Sequence, residues 1–160
     1  MHTPTAQPLR WQLSPFADLS PHQIYAILQA RTEVFVIEQR CLFQDIDGKD
    51  PACHHLIGWT AHQQVAAYLR IVPPGLAFTE ASIGRVLTTK IGRGLGIGKT
   101  LLSTGLTQTR ALYPTQAIRI GAQQYLEQFY ASFGFQTVSE MYLEDDIPHV
   151  EMLISEITVA

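Results

Sequence analysis

Four of the eleven glycines fall between residues 92 and 98, in the run Gly92-Arg93-Gly94-Leu95-Gly96-Ile97-Gly98-Lys99-Thr100. Glycine permits tight turns and a close approach of backbone to ligand. A helix opening behind such a turn aims free N–H groups and its positive dipole end at an anion. The chemistry on offer is phosphate binding. A plain connecting turn is a poor account, because alternating glycines before a helix cost helix stability. The Walker A pattern ends correctly at Gly98-Lys99-Thr100 but needs glycine where Arg93 stands. It also needs a downstream strand ending in a Mg²⁺-binding Asp, and Ala117 to Ala122 ends without one. The dinucleotide pattern G-x-G-x-x-G fails at Ile97 from one start and at Lys99 from the other. Backbone N–H groups from Arg93 to Lys99, with the cations of Arg93 and Lys99, are the expected anion cradle.

Two other clusters carry titratable groups. Cys41, Cys53, His54 and His55 form a C-x₁₁-C-H-H run, which lacks the paired spacing of a structural zinc site, so no metal is expected. The acids Glu38, Asp45, Asp47 and Asp50 fit either a surface facing a cationic amine or a solvated turn rich in Asp.

The elements that must position these groups follow from pattern. Leu9 to Leu13 alternates like a strand, after a lead-in with Pro4 and Pro8. Ser20-Pro21-His22-Gln23 is a capping box with proline at the first helical position, and the helix runs to about residue 37 with a break near Glu33. Residues 41–55 read as an acidic loop. Strands are predicted at His55–Ala61, Val65–Val72 and Ala81–Thr89, and a helix from Gly96 to Arg110. Ala117–Ala122 is a strand, Gln123–Phe133 a helix closed by Gly134, and Phe135–Leu143 and Val150–Val159 are the last strands. This order, β α β β β α β α β β, predicts a mixed α/β sheet of six to seven strands flanked by about four helices.

Composition bounds the function. The 160 residues, 46% apolar and 16% charged, suit one domain over 1–160 and exclude intrinsic disorder. A net charge of −3 argues against a nucleic-acid partner. Apolar runs such as Val34–Ile37 fall far short of the roughly 20 residues that span a bilayer. Met1 to Trp11 has no apolar stretch of the secretory kind. Two cysteines make no disulfide scaffold, so a reducing cytoplasm is expected; the expected assembly is a monomer or homodimer.

Arg93-x-x-Gly96-x-Gly98 resembles the pyrophosphate-binding signature of the GNAT acetyltransferases. Before it, Ile83-Gly84-Arg85-Val86-Leu87-Thr88 resembles the family strand whose backbone pairs with the pantetheine arm of coenzyme A. After it, Phe129-Tyr130-Ala131-Ser132-Phe133-Gly134-Phe135 resembles the family's F-Y-x-x-x-G-F signature. Three further segments are similar to the ElaA-like branch: Arg31 with Val34 to Cys41, Gln44 to Asp50, and Glu144 to His149. Leu42 stands where that branch usually has proline, and Asp146 where it usually has glycine.

The resemblance implies the GNAT fold, with the fourth strand beside the fifth and parting from it. It implies an acetyl-CoA-dependent N-acetyltransferase acting on a small amine or peptide. The cofactor residues are then Val86, Leu87, Thr88, Arg93, Gly94, Gly96, Gly98 and Lys99. Direct attack in a ternary complex requires a base for the amine and an acid for the thiolate. The matching family tyrosine makes Tyr130 the acid. His149 is a base candidate because histidine titrates nearest neutrality; a water relay to a backbone carbonyl is the alternative. Arg31, Phe35 and Glu38 lie in the segment that walls the family's acceptor pocket. Two other functions stay open. One is a catalytically silent CoA-binding regulator. The other is transfer of a longer acyl chain, since Arg31-x-x-Val34-Phe35 also resembles acyl-homoserine lactone synthases.

Overall fold

A computed structural model describes residues 7–156. Most of the predicted lead-in, residues 1–6, and the predicted end of the last strand, 157–159, lie outside the described residues. The strands are β1 (Arg10–Pro15), β2 (His54–Trp59), β3 (Val65–Val72), β4 (Ala81–Thr88), β5 (Ile118–Gln123), β6 (Gln136–Thr137), β7 (Tyr142–Glu144) and β8 (Ile147–Ile154). The α-helices are α1 (Pro21–Arg31), α2 (Ile97–Leu112) and α3 (Glu127–Ala131). Among the described residues the sheet runs β1-β2-β3-β4-β5-β8-β6, with β7 also on β8. None of the described helices is long and apolar enough to cross a membrane.

Alternation along the strands sends neighbouring side chains to opposite faces. Leu69, Ile83 and Ile120 pack with Leu101, Leu102 and Leu106 of α2 and with Tyr130 of α3. On the other face, Tyr68, Ile57 and Leu87 pack with Ile27, Ala30, Val34 and Phe35. Each fully buried side chain of this size contributes roughly 1.5–3 kcal/mol. Gly105 lets α2 settle onto β3, since a Cβ there would lie 2.6 Å from Leu69 Cδ2.

The first helix starts as its capping box requires. Ser20 Oγ accepts from the Gln23 N–H at 3.1 Å, and Gln23 Oε1 accepts from the Ser20 N–H at 3.0 Å. Past Arg31 the chain widens into a π-helical segment, Thr32–Glu38. There the Gln39 N–H reaches back to the Val34 carbonyl at 3.0 Å. The break predicted near Glu33 is this change of pitch. The predicted strand Phe135–Leu143 divides into β6 and β7, and both halves pair with β8.

β4 and β5 run parallel but pair only at Ala81 with Ile118 and at Ser82 with Arg119. The cause is a bulge. Tyr68 faces Leu87 while Arg70 faces Gly84, so Arg85 and Val86 together oppose Leu69. Arg85 has φ 53, the left-handed region. A bulge bends its strand and increases its twist, which turns β4 away from β5 and opens the expected cleft.

Asp145 and Asp146 form a two-residue hairpin loop between β7 and β8, with φ 50 and 62. Two positive φ values define a type I′ turn, whose second position favours glycine. Asp146→Gly is expected to stabilise the protein by about 1 kcal/mol. Scanning calorimetry should then show Tm raised by about 2–4 °C; an unchanged or lower Tm would mean that Asp146 makes a compensating contact.

Candidate active site

The glycine-rich run lies between β4 and α2, and its glycines serve different ends. Gly92 is structural, since a Cβ there would sit 2.2 Å from the Ala66 carbonyl oxygen. The loop start is pinned to β3 by the Thr89 N–H on the Ala66 carbonyl at 3.0 Å and by Thr89 Oγ1 on the Val65 carbonyl at 2.8 Å. Gly94 and Gly96 take φ 84 and 70, which make the turn. Gly96 is the N-cap of α2 and supplies no capping side chain. The first N–H groups of a helix have no partner within it, so those of Ile97, Gly98 and Lys99 face outward. A Cβ at Gly94, Gly96 or Gly98 would meet nothing within 4 Å. Open backbone N–H groups beside Arg93 and Lys99 fit a diphosphate.

Arg93 Nη2 donates to the Thr88 carbonyl at 2.9 Å and to Glu38 Oε2 at 2.5 Å. Glu38 therefore joins the π-helical segment to the glycine loop. Gln123 Nε2, at the end of β5, donates to Gln39 Oε1 at 3.1 Å. The segment is thus tied to both sides of the opening between β4 and β5.

The cleft between those strands has a volume of about 420 Å³. Val86 lines it from β4, Phe35 from the π-helical segment, Tyr130 from α3 and His149 from β8. Leu87 and Thr88 pair with Tyr68 and Ala67 of β3, and the Leu87 side chain is buried in the same core cluster as Phe35. Among the described residues, no strand pairs with the β5 side of β4 past Ser82.

Tyr130 is 7% exposed, with its ring edge-on to Phe129 and Phe135 at centroid separations of 5.4 and 6.0 Å. Burial, helped by Tyr125, pushes its phenol up to about 12. The phenol therefore stays protonated across the neutral range. His149 stands opposite Gln123 in the β5–β8 pairing and stacks on Tyr142 at 5.9 Å. Its Nδ1 lies 2.7 Å from the Ile147 carbonyl oxygen, which can only accept, so Nδ1 carries the hydrogen. Its Nε2 lies 3.4 Å from Glu144 Oε2.

Arg31 does not face the cleft as an acceptor contact. It is 0% exposed. Its Nε bonds Asp45 Oδ2 at 2.8 Å, Nη1 bonds Asp50 Oδ1 at 2.7 Å, and Nη2 bonds the Asp45 carbonyl at 2.8 Å. The acidic loop is likewise no solvated turn. Asp45 and Asp50 are buried, and Arg70 joins Asp47 at 2.5 Å and Asp50 at 3.0 Å. Burial alone would raise the Asp47 carboxyl. The Arg70 hydrogen bond, the Lys49 N–H and the charges of Arg70 and Arg85 instead hold it well below the usual carboxylate range. Asp50 is also lowered, its burial outweighed by Arg31 and Arg70. Breaking one partner from such a buried pair costs about 3–5 kcal/mol, so the cluster holds the loop firmly in place.

His55 belongs to the same cluster. Its Nδ1 meets the Tyr68 hydroxyl at 2.7 Å and its Nε2 the Asp50 carbonyl at 3.0 Å. Cys53 Sγ donates to the Lys49 carbonyl at 3.2 Å. The pairing of these aspartates with Arg31, Arg70 and Arg85 escaped the sequence reading, because the partners lie between 14 and 40 residues apart.

A sequence profile described as "Acetyltransferase (GNAT) domain" matches residues 17–156. The chain is 40% identical over 146 residues to protein ElaA of Escherichia coli, covering 90% of this chain and 95% of that protein. The crystal structure of Escherichia coli ElaA superposes with a TM-score of 0.85 at 39% identity, covering 91% of this chain and 98% of that one. A crystal structure of an acyl-CoA N-acyltransferase from Pseudomonas aeruginosa superposes with a TM-score of 0.86 at 41% identity, again covering 91% and 98%.

Proposed function

We propose, because this chain belongs to the GNAT acetyltransferase family, that it moves an acetyl group from acetyl-CoA to a primary amine by direct attack in a ternary complex. The observation that carries the reading is a cleft between β4 and β5 beside the uncapped N-terminus of α2. Acetyl-CoA supplies the activated thioester. Around it the chain supplies four functions. The N–H groups of Ile97 to Lys99, with Arg93, hold the diphosphate. The unpaired edge of β4 past Ser82 offers backbone groups to the pantetheine arm and the carbonyl, where a fixed N–H stabilises developing negative charge. The Tyr130 hydroxyl donates a proton to the departing sulfur. His149 takes a proton from the amine at Nε2, with its ring oriented by the Nδ1 hydrogen bond and its charge offset by Glu144. Phe35 walls the acceptor space, and Glu38 acts indirectly through Arg93.

The test is a panel of primary amines and short peptides with acetyl-CoA, read by release of free thiol. Amine-dependent release is expected. Calorimetric binding of acetyl-CoA with no release across the panel would instead favour a silent CoA-binding regulator. Octanoyl-CoA in the same assay tests the acyl chain, and faster turnover with it would replace acetyl as the transferred group.

A further inference from the structure

Arg85 stands in the middle of β4 in a backbone conformation that L side chains rarely adopt. Its side chain leaves the sheet for residues 39–49, which form no helix or strand of their own. Arg85 Nε lies 2.8 Å from Asp45 Oδ1. Its Nη2 donates to the Asp45 carbonyl at 3.1 Å and to Asp47 Oδ2 at 3.3 Å. The guanidinium carbon is 5.0 Å from the centre of the Phe43 ring, a cation–π distance. Three arginines thus grip this segment from three elements. Arg31 comes from α1 and Arg70 from β3, and both are buried. Arg85 alone of the three comes from β4, the strand that borders the opening, and Phe43, Gln44, Asp47, Arg85 and Val86 all line the same cleft.

We infer that Arg85 is a positioning residue that clamps residues 43–47 to β4, setting the acceptor side of the cleft in register with the donor side. The words donor and acceptor rest on the acyl-transfer reading above; the clamp itself rests on the contacts just given. Its value to the reaction is orientation. A misplacement of about 1 Å between reacting groups can lower turnover by roughly 10²-fold. The bulge and the clamp are separable by mutation, because glycine accepts a positive φ without strain. Arg85→Gly keeps the backbone bend and removes the grip. Arg85→Lys keeps one positive charge but loses the fork that spans Asp45 and Asp47.

Three quantities decide the matter: acetyl-CoA affinity by calorimetry, kcat/KM for the fastest amine of the panel, and amide hydrogen exchange of residues 41–49. For Arg85→Gly the expected result is acetyl-CoA affinity within about threefold of the parent and amine kcat/KM lowered by roughly 10²-fold. Exchange in 41–49 should be at least about tenfold faster, with α2 unchanged. Arg85→Lys should fall between the two. Amine kcat/KM within about twofold of the parent would overturn the inference. So would acetyl-CoA affinity falling in step with turnover, which would assign Arg85 to the donor side or to folding. If the parent turns over no amine, the acyl-transfer reading fails by itself and hydrogen exchange judges the clamp, with unchanged exchange in Arg85→Gly overturning it. If Arg85→Gly does not fold, Arg85→Lys decides by the same split.

Discussion

Tyr130→Phe is expected to lower kcat by roughly 10²–10⁴-fold, the range associated with a positioned general acid or base, and to leave acetyl-CoA affinity little changed. The substitution keeps the ring that packs edge-on to Phe129 and Phe135 and removes only the hydroxyl. A donor aimed at a leaving sulfur acts as the thiolate departs, so its interaction strengthens in the transition state and registers in kcat rather than in binding. Burial raises the phenol from its ordinary 10 to about 12. The sign follows: the group stays protonated as pH rises through the neutral range and is lost as a donor only near its raised pKa. The parent enzyme should therefore show no loss of kcat attributable to Tyr130 between pH 7 and pH 10. Full kcat in Tyr130→Phe on the true acceptor would reduce Tyr130 to a core residue.

Gly98→Val should abolish useful acetyl-CoA binding while leaving the protein folded. Gly98 is the cleaner of the two informative glycines. Gly96 has φ 70, so a side chain there strains the backbone as well as filling the cradle. Gly98 carries no such requirement, and a Cβ there meets open space within 4 Å. The first atom of a valine side chain there therefore meets no clash, and the side chain adds bulk beside the N-terminus of α2. Charge-assisted hydrogen bonds contribute about 1.5–3 kcal/mol each. Losing two of them weakens affinity by roughly 10²–10⁴-fold. Calorimetric titration with acetyl-CoA measures this directly, and an unchanged Tm confirms that folding is intact. Unchanged affinity in Gly98→Val would move the diphosphate away from this loop.

Much of this protein was legible from residues close together in sequence. The Ser20–Gln23 capping box, the alternating strands and the order of elements depend on hydrogen bonds and periodicities only a few residues long. The same is true of the glycine run, whose motif is contiguous and points to an anion in any fold that puts a helix behind it. Tertiary structure decided what depends on register and distance. Four glycines within seven residues look alike in sequence, yet Gly92 packs against Ala66 while Gly98 faces open space. Asp45, Asp47 and Asp50 have the composition of a solvated turn, because aspartate favours turns wherever water is available. They are held instead by arginines from α1, β3 and β4. For the same reason Arg31 is a buried strut and not a wall of the cleft. The opening between β4 and β5 likewise follows from a two-against-one pairing at Leu69. No local pattern encodes that pairing, because it exists only once β3 and β4 lie side by side.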